Sequence, residues 1–106
     1  MKIFKFGDMS KGWFVGDFAP TTFLTKDCEV AYKEYKPGDY EAKHMHKVAT
    51  EVTMIIKGEV LMNGVKYGSG DIIIMEPGEA TDFKALSNTA NIVVKVPSVK
   101  GDKYIV

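Results

Sequence analysis

Gly38-Asp39-Tyr40-Glu41-Ala42-Lys43-His44-Met45-His46-Lys47-Val48-Ala49-Thr50-Glu51 runs on through an apolar stretch to Gly58 and holds both histidines of the chain. His44 and His46 lie two apart, so on a β-strand they project from one face. Glu51 follows five residues later, which leaves room for a bend before the next strand. Two imidazoles and a carboxylate brought to one point outline a transition-metal site, with nitrogen and oxygen donors suited to Fe, Mn, Ni or Zn. Without a metal, a protonated histidine paired with Glu51 is the alternative, because a buried carboxylate costs several kcal/mol unless compensated.

The spacing of Gly38, His44, His46, Glu51 and Gly58 resembles the first conserved motif of the cupin superfamily. Gly70-Asp71, the run Ile72-Ile73-Ile74-Met75 and then Glu76-Pro77-Gly78 resemble the second motif in degenerate form. The family pattern places a proline at position 76 and a histidine, the fourth metal ligand, at position 81. This chain has Glu76 and Thr81 there. The resemblance implies an all-β double-stranded β-helix (a jelly-roll barrel) over residues 1–106, with motif 1 at 38–58 and motif 2 at 70–85. It also implies a homodimer, and a ligand site at the barrel mouth lined by the first-motif strands and Thr81.

Composition narrows the rest. Zero formal net charge, from 14 basic and 14 acidic residues, gives no electrostatic case for nucleic acid or an anionic membrane as partner. Every basic residue is lysine, so the planar clamp that arginine offers to carboxylate or phosphate is absent. That argues against the cupin sugar-nucleotide epimerases, which work through a histidine base, a tyrosine acid and arginine contacts. The lone Cys28 excludes an intrachain disulfide and fits a reducing compartment. No segment approaches a membrane span, and the apolar run at Met1–Phe6 breaks too early for a signal peptide, so a cytoplasmic protein is expected.

Short period-two apolar runs punctuated by Gly, Pro, Asn and Asp predict strands throughout. The expected strands are Lys2–Phe6, Thr22–Thr25, Cys28–Tyr35, Glu51–Lys57, Ile72–Glu76 and Ile92–Val96, the last two in the core. Asn63-Gly64 predicts a tight hairpin. Ser10–Pro20 reads as an aromatic-rich loop. Ala42, His44 and His46 are expected on a common face, with Thr53 beside Glu51. The opposite face, Val52, Met54 and Ile56, then needs cover from other strands or a second subunit. Thr81, Phe83, Tyr32 and Thr53 are the expected pocket-lining residues, while Lys33, Lys43, Lys47, Lys57 and Lys66 read as solvated surface.

Thr81 leaves three outcomes for the metal. His44, His46 and Glu51 hold it alone, with positions open for substrate; or Glu79 or Asp82 adds a ligand; or the metal is lost and the pocket kept. The functional expectation is a metal-binding protein for a small polar metabolite, of isomerase or epimerase, lyase or oxygenase type. The alternative is a non-enzymatic small-molecule-binding or accessory protein. No catalytic residue beyond the metal donors is named by the sequence.

Overall fold

At Asn63 (φ 51°) and Gly64 (φ 75°) the chain takes two consecutive left-handed residues, the conformation that joins two strands with matching twist. The turn links β6 (Glu59–Met62) to β7 (Val65–Gly68), with Met62 opposite Val65. The computed structural model describes residues 1–106, and the remaining strands are β1 (Trp13–Gly16), β2 (Phe23–Leu24), β3 (Glu29–Tyr35), β4 (Tyr40–Met45), β5 (Thr50–Lys57), β8 (Ile72–Met75), β9 (Ala80–Ala85), β10 (Thr89–Val96) and β11 (Tyr104–Ile105). They form a six-stranded sheet ordered β2-β1-β3-β10-β5-β8 and a five-stranded sheet ordered β11-β4-β9-β6-β7. All neighbours are antiparallel except β1 and β2. This is the all-β double-stranded β-helix expected from the sequence. No helix is long and apolar enough to cross a membrane.

The inner faces follow from the register. On β10, Asn91 stands opposite Lys33 of β3 and Ile55 of β5, while Lys95 stands opposite Glu29 and Glu51. The buried apolar core is the cluster Ile55, Val60, Met62 and Phe83, against which Tyr35, Tyr67 and Ile73 pack. Above Met62 and Phe83 the barrel opens into a polar cavity.

Three expectations are corrected here. Lys2–Phe6 is not a strand, and only a 3₁₀ turn forms, at Phe6–Asp8. The free edge of β3 is taken by β1, inside the segment expected to be loop. Phe6 instead sets its ring edge-on to Tyr32, 5.7 Å between centroids. Gly12 makes the approach of β1 possible: at φ 85° a Cβ there would lie 2.1 Å from the Tyr32 carbonyl oxygen. Finally, β8 is an edge strand whose Ile72 and Ile74 are exposed, because an unbroken apolar run does not reveal which of its faces is covered.

Candidate metal centre

His44 comes from β4, His46 from the turn just beyond it, and Glu51 from the start of β5. One donor atom from each lies within 4.8 Å of the others. Both rings are held by their far nitrogens. His44 Nδ1 meets the Ala42 carbonyl at 3.0 Å, and His46 Nδ1 meets the carbonyl of Asp102. A carbonyl only accepts, so each Nδ1 carries the proton and each Nε2 is left to face inward. Backbone carbonyls set the tautomer of metal-binding histidines in the same way. The donor set, two imidazole nitrogens and a half-buried carboxylate, fits a divalent transition metal.

Asp102 does more than orient His46. Its carboxylate accepts the N–H groups of Lys47 (2.8 Å), Val48 (3.1 Å) and Ala49 (2.9 Å), fixing the bend between His46 and Glu51. Burial alone would push this carboxyl up; the three N–H donors outweigh it and hold it below the usual range. β11 follows Asp102 and pairs with β4 beside His44, Ile105 standing opposite it.

Without a metal, His46 and Glu51 compensate each other. His46 Nε2 lies 3.3 Å from Glu51 Oε1, and Thr53 Oγ1 donates to Glu51 Oε2 at 3.2 Å. The Glu51 hydrogen bond raises the His46 pKa against the opposing effect of burial, helped by the Asp102 carbonyl. Burial pushes Glu51 up, but His46, Lys95 and Thr53 together bring it below the usual carboxylate range.

The donors open into a cavity of about 230 Å³ that Thr53, Thr81 and Phe83 also line. Tyr32 is not among the lining residues. The odd-numbered face of β3 turns inward, so Tyr35 and Lys33 line the cavity and Tyr32 packs outside. Lys33 is therefore no solvated surface charge. Burial, partly offset by Glu41, pushes its pKa down. Glu41 enters the cavity through a break in register between Glu41 and His44 on β4. This bulge brings residues of opposite parity to one face and removes Ala42 from the common face expected for it. Tyr35 donates its hydroxyl to Glu41 Oε2 at 3.0 Å, and burial and that carboxylate raise its pKa beyond the ordinary phenol range.

Neither proposed fourth ligand reaches the centre. Glu79 Oε1 accepts the N–H of Glu76 in a local turn, and Asp82 Oδ1 accepts the N–H of Asn63 at the hairpin. Thr81 faces His44 across the β4–β9 pair, but its hydroxyl donates to the Asp82 carbonyl at 2.7 Å.

No protein-family model and no curated protein sequence matches the chain. Solved structures do. An uncharacterized conserved protein with a double-stranded beta-helix domain from Klebsiella pneumoniae is 25% identical, with TM-score 0.69, over 76% of this chain and 71% of that one. The DMSP lyase DddQ from Ruegeria pomeroyi gives TM-score 0.70 at 18% identity, over 86% of this chain and 48% of that one. The bacterial pirin YhhW from Escherichia coli, solved in complex with nickel(II), gives 0.69 at 18% identity, over 85% of this chain and 40% of that one. This chain thus spans less than half the length of the lyase and of the pirin. The fold is that of the cupin superfamily.

Proposed function

We propose that the chain binds one divalent transition metal, Fe, Mn, Ni or Zn, through His44, His46 and Glu51, and uses it to hold and transform a small polar metabolite in the barrel mouth. The observation that carries this is the convergence of one donor atom each from His44, His46 and the half-buried Glu51 within 4.8 Å, with both Nδ1 atoms engaged by backbone carbonyls. A divalent metal held by His44, His46 and Glu51 would supply Lewis-acid chemistry toward a carbonyl or hydroxyl, or oxygen chemistry, at this site. The reaction classes that fit are isomerisation or epimerisation, lyase chemistry and oxygenation. The chain's own residues supply the rest. Asp102 keeps His46 in the tautomer that leaves Nε2 facing inward, Tyr35 stays protonated as a hydrogen-bond donor, and Met62 and Phe83 form an apolar part of the lining. A cytoplasmic setting goes with the lone free Cys28.

The homodimer belongs to the same proposal. Met54 and Ile56 on β5, and Ile72 and Ile74 on β8, leave an exposed apolar band that the chain's own strands do not cover. A second copy, meeting it face to face, is the occupant that fits.

A non-enzymatic binding protein is the second reading, favoured by Thr81, whose hydroxyl is occupied where the fourth ligand is expected. Elemental analysis of tag-free protein, as purified and after anaerobic Fe(II) loading, tests the metal site on which the first reading depends. Near one metal per chain, lost in Glu51→Gln, supports the metal site. No metal under any loading condition overturns it and leaves the binding protein.

A further inference from the structure

The cavity is charged in a way that the metal donors do not explain. Lys11, Lys33, Lys95 and Lys103 line it, against the carboxylates Glu41 and Glu51. Of those two, Glu51 belongs to the metal site and Glu41 already accepts the Tyr35 hydroxyl. Lys95 is neutralised from outside the cavity by Glu29, at 3.0 Å. Lys33 is not comparably paired. Its ammonium makes no hydrogen bond, and its nearest carboxylate oxygen, on Glu41, is 3.9 Å away, although the side chain is only 21% exposed. The Lys33 and Lys95 ammonium groups also lie 5.2 and 4.9 Å from the centre of the Trp13 ring, which forms part of the same wall.

A ligand that covers this half-buried ammonium displaces water from it, and its donors are then costly unless the ligand satisfies them. Neutral ligands leave it unpaired, whereas an anionic oxygen pairs it and offsets the surplus of lysines. The cavity volume, about 230 Å³, suits a molecule of a few carbons. We propose that the ligand is a small carboxylic acid whose carboxylate is bound by Lys33, with Lys103 contributing charge and Trp13 forming the wall. This rests on the metal-site proposal only for what lies at the ligand's other end. Burial lowers the Lys33 pKa, Glu41 partly offsetting it, and an anion beside the ammonium would act in the same direction as Glu41.

Trp13 is the chain's only tryptophan, so its fluorescence reads this wall directly. The probes are acid and amide pairs of matched shape: glycolate and glycolamide, lactate and lactamide, malonate and malonamide. Each is titrated at neutral pH into metal-free and Zn(II)-loaded protein, with metal content measured on the same samples. At least one acid should saturate the signal and bind about tenfold or more tightly than its amide. Lys33→Gln should lose that advantage at unchanged metal content; Lys33→Met, which keeps the apolar stem, should lose it too and guards against a folding artefact in the first variant. The proposal is overturned if every acid binds no better than its amide, if both Lys33 variants keep the advantage, or if no acid perturbs Trp13 at millimolar concentration. Should the wild type take up no metal yet discriminate acid from amide through Lys33, the metal site fails and the carboxylate site stands.

Discussion

The two faces of the six-stranded sheet differ from the usual half-buried sheet where the inner face lines the cavity. Glu29, Lys33, Asn91, Lys95, Glu51 and Thr53 point into the barrel, while Met54, Ile56, Ile72 and Ile74 point out and are exposed. Antiparallel sheets normally put apolar residues against the core and polar ones in water. Polar groups inside are tolerated only when paired, and most here are: Glu51 with His46, Lys95 with Glu29, Tyr35 with Glu41. The exceptions, Lys33 and the unpartnered Asn91 Oδ1, both line the cavity. The inner face thus has the chemistry of a ligand site and the outer face that of a contact with another molecule.

The inner face is broken most severely at Glu51. Glu51→Gln removes the only anionic donor, and metal affinity should fall on the order of a thousandfold, about 4 kcal/mol, as read by metal-competition titration. Asp102→Ala comes next. It leaves the N–H groups of Lys47, Val48 and Ala49 without their acceptor, and should cost about 3 kcal/mol in denaturant unfolding. Metal affinity should drop about tenfold in the same variant, because the bend between His46 and Glu51 loosens. Asp102→Asn, which keeps one acceptor oxygen, should fall between this variant and the wild type.

The outer face is tested with Ile74→Lys. If a second copy covers this band, light scattering should show the dimer weakened by about 2 kcal/mol, with metal content unchanged. A wild-type protein that is monomeric at high concentration would remove the functional reading of this face and leave that of the inner face intact.

The fold was legible because its signals are local. Alternation marks β3 and β5, Asn63-Gly64 marks the hairpin, and the spacing from Gly38 to Gly58 brings two histidines and a glutamate to the barrel mouth. What stayed hidden depends on parity and on distance. Tyr32 and Tyr35 belong to opposite faces of β3, and the more apolar face, which holds Val30 and Tyr32, turned out to be the outer one. Choosing the inner face by hydrophobicity fails when the interior is a polar cavity. Glu41 was concealed by the bulge on β4, which has no glycine or other local mark. Lys95 did carry a signal, since it alternates with Asn91 and Val93 on one strand face, but a lysine in a run read as core passes for its exposed end. Asp102 had none: it binds His46 from 56 residues away, and only tertiary structure makes it a neighbour.

The smallest expected effect sharpens the account of the inner face, because metal and proton compete for one nitrogen. In the metal-free protein His46 has its pKa raised by Glu51, so its contribution to stability is complete below the unfolded value, about 6.5, and is lost as pH rises through the higher folded value. Glu51 has its pKa lowered, so its contribution is complete above the unfolded value, about 4.3, and is lost as pH falls through the folded one. Thermal unfolding of metal-free protein should therefore show a plateau between those unfolded values, with Tm declining by a few degrees on the alkaline side. Metal affinity should respond in the opposite sense. Below the raised His46 pKa a proton must leave Nε2 before it can donate to metal, so affinity should climb with pH and at least one proton should be released per ion. Above that value both dependences vanish. Calorimetry in two buffers of different ionisation enthalpy counts the protons. Metal uptake without proton release on the acid side would mean that His46 is not a ligand, and that its pairing with Glu51 is the whole role of that histidine.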